Sequence, residues 1–180
     1  MKKYIYLLSV LMLSSCVELE PLIDYDPKTD FATYTSFSVC EPYQETYMNN
    51  KMVSQENVAI IKEVLKKKVE KLGYVYDEVS PDLLVSFDLK FEERKVNYTQ
   101  CRSEEDYDLW AECTLEEYVF TQGTMVVTLL DNSFDQVVWI GSLEEMWPER
   151  NSSKFRGQMN TFVDVLFLDF PLDKKELKGM

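Results

Sequence analysis

Residues Leu83 to Phe91 alternate strictly: Leu83, Val85, Phe87, Leu89 and Phe91 fall on one side of an extended chain and Leu84, Ser86, Asp88 and Lys90 on the other. A helix would scatter those apolar residues around its axis, so the stretch predicts a strand with one face in a core. A single strand cannot bury its face alone. The rest of the chain must therefore supply partner strands and a covering layer.

The partners are legible on both sides. Tyr34 to Val39 is rich in strand formers and predicts a first strand, following a turn at Asp24-Tyr25-Asp26-Pro27. A third strand is predicted over Tyr118 to Leu130, with Gly123 marking a bulge or bend, and a fourth over Val137 to Met146. Asp131 to Asp135 is a hairpin loop between them.

Two amphipathic helices form the cover. Ser54 caps the first, in which Val58, Ile61, Leu65, Val69 and Leu72 recur at helical spacing before Gly73 stops it. Lys62, Lys66, Lys67 and Lys71 lie mostly off that stripe and read as a solvated face. The second carries Phe155, Met159, Phe162, Val163, Leu166, Phe167 and Phe170 up to Pro171. Packing on a sheet is the commoner use of such a stripe, a membrane or partner surface the rarer one. The order β-α-β-β-β-α predicts an α+β two-layer sandwich, with a mainly antiparallel sheet of about four strands and both helices on one face.

The start of the chain has a different character. Lys2 and Lys3 precede an apolar run from Tyr4 to Leu13, too short to span a hydrocarbon core that needs about 20 residues. This reads as a signal peptide over residues 1–15. Leu13-Ser14-Ser15-Cys16 resembles the bacterial lipoprotein box, which implies cleavage before Cys16 and a diacylglyceryl group on its thiol. Two acyl chains suffice for stable anchoring, at about 0.8 kcal/mol per buried methylene. A plain signal peptide with an incidental Cys16 is the rival reading. Residues 16–23 read as a lipidated tether, 24–172 as one domain and 173–180 as a charged tail. Val17 is not the aspartate that favours inner-membrane retention, so the expected location is the outer membrane, with the leaflet open.

Composition then excludes. The chain has no histidine, which removes the usual general base, the commonest metal ligand and every Ser-His or Cys-His nucleophile pair. A net charge of -13 repels phosphate backbones, so no nucleic-acid partner is expected. Of the cysteines after Cys16, Cys101 and Cys113 flank a short polar insert and are expected to pair in an oxidising compartment. Zinc is the rival, without Cys-x-x-Cys spacing or histidine. Cys40 reads as a small buried hydrophobe.

The insert from about Glu92 to Glu117 gathers Glu104, Glu105, Asp106, Asp108, Glu112, Glu116 and Glu117 around Trp110. It lacks the glycine of a calcium loop, and a solvated acidic loop stapled by a disulfide is its plain reading. Asp82 and Asp131, at strand ends, read as turn caps. Trp139 and Gly141 read as packing and close backbone approach. No catalytic residue, metal site or cofactor is predicted.

With its elements placed, the chain resembles a family of bacterial envelope lipoproteins, domain of unknown function family 4136. The matching residues are the box ending at Cys16, Asp24-Tyr25-Asp26, Asp30-Phe31, Tyr34, and Pro81-Asp82-Leu83-Leu84-Val85. Gly123-Thr124-Met125 leading to Asp131, Val138-Trp139-Ile140-Gly141, and Phe167 to Pro171 complete them. Members often carry tryptophan where this chain has Val39-Cys40, and the cysteine-bearing insert is unlike the usual pattern. The resemblance implies an envelope location and an α+β fold, with no established activity. The expected function is a membrane-anchored, non-catalytic module that binds a protein or glycan partner or maintains the envelope. The alternative is a carboxylate-dependent hydrolase of envelope or host glycans, its acids drawn from the insert.

Overall fold

The computed structural model describes residues 20–40, 54–102, 112–146 and 152–172. Six strands, β1 (Leu22–Tyr25), β2 (Ser36–Val39), β3 (Val75–Tyr76), β4 (Leu83–Arg102), β5 (Glu112–Asp131) and β6 (Gln136–Met146), form one sheet in the order β1-β6-β5-β4-β2-β3. Helices α1 (Gln55–Lys71) and α2 (Ser152–Leu166) cover one of its faces. The α+β class and the two helices are as expected.

The sheet differs from expectation in number and direction of strands. It has six where about four were expected, and it is mixed: β2 runs parallel to both β3 and β4, while β1, β6, β5 and β4 pair antiparallel. The additional strands are short edge pieces. β1 begins inside the stretch read as tether and turn, pairing Leu22 with Ser142 and Tyr25 with Trp139. The turn itself follows it, where Lys28 N donates to Asp26 Oδ1 at 2.9 Å. β3 adds two residues to the edge of β2 as the chain leaves α1.

The alternation in β4 does what it predicts. Leu83, Val85, Phe87 and Leu89 are buried, and the register sets Leu129, Val127 and Met125 beside the last three. Phe37 and Val39 flank Leu83 and Val85 on the other side. Across β6, Trp139 lies beside Leu129 and Leu143 beside Met125. The irregularity in this hairpin falls at Leu129/Leu130, whereas Gly123 sits in unbroken register opposite Phe91.

Helix α1 starts where Ser54 Oγ accepts from Asn57 N at 3.1 Å, and it stops at Gly73, whose φ of +104° favours glycine. Its buried face is Ile60, Ile61, Val64, Leu65 and Val69, with Val58 and Leu72 partly buried at the ends. Helix α2 contributes Phe155, Met159, Phe162, Val163 and Leu166. It ends at Leu166, short of the predicted Pro171. Phe167 and Phe170 then turn inward, stacking on Trp139 at 4.7 Å and meeting Phe31 edge-on at 5.0 Å. Each such side chain contributes about 1.5–3 kcal/mol on burial, so this aromatic knot closes the core where the helix leaves off.

Gly141 is fixed by that knot. A Cβ there would stand 2.5 Å from Trp139 Cη2 and 3.2 Å from Leu166 Cδ2. Three lysines of α1 are engaged at the surface: Lys67 pairs with Glu63 at 2.6 Å, Lys68 with Asp164 at 2.7 Å, and Lys66 stands over the Tyr76 ring at 3.4 Å.

Candidate functional site: a disulfide-tipped arm

Strands β4 and β5 continue past their neighbours. On one side β2 is last in register at Val85, and on the other β6 ends with Met146 opposite Gln122. From the rung Glu93↔Thr121 to the rung Arg102↔Glu112 the two strands pair only with each other among the described residues. The insert read as an acidic loop is thus paired strand over Glu93–Arg102 and Glu112–Glu117, and with Tyr118–Thr121 of the predicted third strand it makes a two-stranded arm. Such a ribbon is marginally stable by itself in water, and here Cys101 and Cys113 close its far end with a disulfide of 2.06 Å.

Period-two geometry gives the arm two faces. One carries Arg94, Val96, Tyr98, Glu116, Tyr118 and Phe120. Tyr118 and Phe120 stack at 6.0 Å, and Tyr98 Oη donates to Glu116 Oε2 at 2.9 Å. The other carries Lys95, Asn97, Thr99, Leu115, Glu117 and Val119, with Lys95 and Glu117 paired at 3.1 Å. Apolar side chains stand in solvent on both: Val96 is 49% exposed, Tyr98 43%, Tyr118 50%, Leu115 73% and Val119 43%. Glu116 and Glu117 point to opposite faces, so these two carboxylates do not converge on one cleft.

The opposite end of the sheet holds the carboxylates singled out from sequence. Asp82 Oδ2 accepts from Thr35 N, Thr35 Oγ1 and Ser36 N at 2.7, 2.8 and 3.0 Å. Those bonds hold its carboxyl below the usual carboxylate range. Asp131 is buried, takes the Tyr34 hydroxyl on Oδ2 at 2.8 Å, and takes Ser133 N and Phe134 N on Oδ1 at 2.8 and 3.2 Å. Burial, then the bond to Asp131, pushes Tyr34 up to about 12. Asp131 closes the turn that follows it, and Asp82 fastens the start of β2 beside that of β4. Among the described residues no group of acidic or cysteine side chains is placed to hold a metal ion.

Cys40 is half-buried, and its burial raises the thiol pKa against the opposing pull of Lys62. Cys16, Trp110, Trp147 and Glu104 to Asp108 lie outside the described residues, as do the expected signal peptide and tail. Sequence patterning missed the arm. Its signal was the run of strand formers on each side of the cysteines, Val96 to Thr99 and Thr114 to Phe120.

Solved structures place the fold. A PDZ domain protein from Parabacteroides distasonis aligns at 12% identity and a TM-score of 0.58, over 87% of this chain and 36% of that one, so this chain spans about a third of its length. A DUF4136 family protein from Bacteroides thetaiotaomicron aligns at 14% identity and 0.48, over 84% and 94%. A PelC dodecamer from Paraburkholderia phytofirmans aligns at 12% and 0.44, over 82% and 97%. At these identities the first shows a common fold alone, and no curated protein matches this sequence. Residues 22–172 match the family described as "Domain of unknown function (DUF4136)", covering the whole described sheet and both helices, and the chain belongs to that family.

Proposed function

We propose that this chain is an envelope lipoprotein, held in the outer membrane by an acylated Cys16, whose non-catalytic domain binds a protein or glycan partner through its arm. The observation that carries the reading is the arm itself: paired strands outside the core, stapled at the end, with apolar side chains exposed on both faces. Exposed apolar surface of this kind marks interaction sites, and tyrosines suit surfaces that alternate between wet and covered. The carboxylates at the other end of the sheet are occupied by hydrogen bonds, which supports a structural role there.

Two measurements test it. Intact-mass analysis and membrane fractionation of the native chain beside Cys16→Ala read the anchor: acylated Cys16 with loss of the variant from membranes is expected. For the binding surface, a photo-reactive residue at Leu115 is compared in cells with one at Val79, which is more exposed still but off the arm. A discrete adduct at Leu115 that Val79 lacks is expected. Equal capture at the two positions sinks the arm as the binding element.

A further inference from the structure

We infer that the arm lies along the membrane that holds Cys16, with the face of Val96, Tyr98, Tyr118 and Phe120 against the lipid. This rests on the anchored reading above and assigns one of the arm's two faces.

The reason is where the chain enters. In β1, Leu22 is level with Ser142 and Tyr25 with Trp139, and Ser142 is level with Val126 and Asp88. Leu22 is therefore the end of β1 nearer the arm, and the chain enters β1 at the end of the sheet from which the arm projects. Six residues from Cys16 to Leu22 reach about 20 Å at full extension. From the level of Asp88, strand β4 reaches roughly 45 Å to Arg102, of which about 30 Å is the arm. Twist of about 20–25° per strand turns the arm away from β1 without reversing its direction. An arm that projects from the end of the sheet where the tether enters, and beyond the tether's reach, is kept beside the bilayer surface.

Its chemistry decides which face turns down. On the Val96 face, Arg94 is paired with Glu92 at 3.0 Å, and Glu116 keeps its charge while accepting the Tyr98 hydroxyl, a carboxylate that stays among the headgroups and out of the hydrocarbon. Tyrosine and phenylalanine with apolar neighbours are the residues that settle at headgroup level. The contact is small, and a free chain from Cys16 onward, with 17 basic against 32 acidic residues and so a net charge of -15, would not hold it against an anionic surface. Tethering changes that, because a short linker supplies an effective concentration of about millimolar, at which weak contacts are populated. The other face, with Leu115 and Val119, is left to the partner.

The test uses the full acylated chain in a Cys40→Ala background, reconstituted in vesicles of phosphatidylethanolamine and phosphatidylcholine. Spin labels are placed singly at Val96→Cys and at Thr99→Cys, on opposite faces. Collision with oxygen should rise, and collision with a water-soluble nickel chelate should fall several-fold, at position 96 but not at position 99. Tyr118→Asp should restore the chelate's access to position 96. Equal chelate access at both positions, in protein whose mass shows the acyl chains, overturns the proposal and spares the anchor. Mass analysis showing an unmodified Cys16 overturns both, and so separates the two failures.

Discussion

Replacing Gly141 by alanine should destabilise the domain through one ring. The added Cβ would lie 2.5 Å from Trp139 Cη2, 2.9 Å from Cζ2 and 3.2 Å from Leu166 Cδ2. The indole has nowhere to go: it is fully buried, stacked on Phe167 at 4.7 Å and tilted against Phe170 at 5.7 Å. Forcing a methyl into a packed core costs about 1–3 kcal/mol, and a contact this short belongs at the upper end. For a domain of this size that is a fall in melting temperature of roughly 5–10 °C. Thermal unfolding followed by near-ultraviolet circular dichroism, which reports the Trp139 environment, measures it. Gly157→Ala is the control, since a Cβ there meets nothing within 4 Å on an exposed turn of α2. It should gain about 0.5–1 kcal/mol from helix propensity. A Gly141→Ala protein that melts with the wild type would refute the clash, and a loss shared by both variants would move the cause from the ring to the backbone.

Cys101→Ser should loosen the arm far more than the core: closing a loop of this size is worth about 3 kcal/mol, so amide exchange over Glu93–Arg102 and Glu112–Thr121 should speed up about a hundredfold. Amides of Leu83–Leu89 should change little. Tyr34→Phe removes a bond to a buried carboxylate and should cost about 1.5–3 kcal/mol in urea unfolding at neutral pH. Because the folded state raises Tyr34 to about 12, its contribution is intact below about pH 10 and lost as pH rises toward 12. The wild type should therefore lose its advantage over the variant in that window. Asp82 is the mirror case: its folded pKa is lowered, so its contribution holds at neutral pH and disappears as pH falls below about 4. Asp82→Asn should flatten the acid limb of a stability-against-pH curve, and an unchanged limb would refute the role of the Thr35 and Ser36 bonds.

Leu83 to Phe91 was readable because a core lies on one side of it, and burial on one face is what writes alternation into a sequence. Helix α1 was readable for the same reason, down to its Ser54 cap and Gly73 stop. The arm had no such cause acting on it. With water on both faces, Glu92 to Lys95 and Glu116-Glu117 meet no selection for alternation, and a strand in that setting reads as a loop. β1 and β3 escaped for another reason, since four- and two-residue edge strands are specified by the partner they join more than by their own residues. Of the candidate residues, Asp131 was legible as a cap because its bonds to Ser133 and Phe134 are local, whereas the bonds of Asp82 to Thr35 and Ser36 join segments far apart in sequence. The face formed by Val96, Tyr98, Tyr118 and Phe120 depends on a register between segments about twenty residues apart, which no local pattern carries.

Strands β4 and β5 are the two middle strands of the sheet, and the arm is their direct continuation. A pull on its far end is therefore carried lengthwise into the centre of the domain, where the ten paired positions from Leu83↔Asp131 to Glu92↔Gln122 and their flanking strands resist sliding together. With Cys101 and Cys113 joined, the load divides between both strands and cannot unzip them from the tip. The arm is a lever with its fulcrum in the core, so whatever grips it moves the domain as one body.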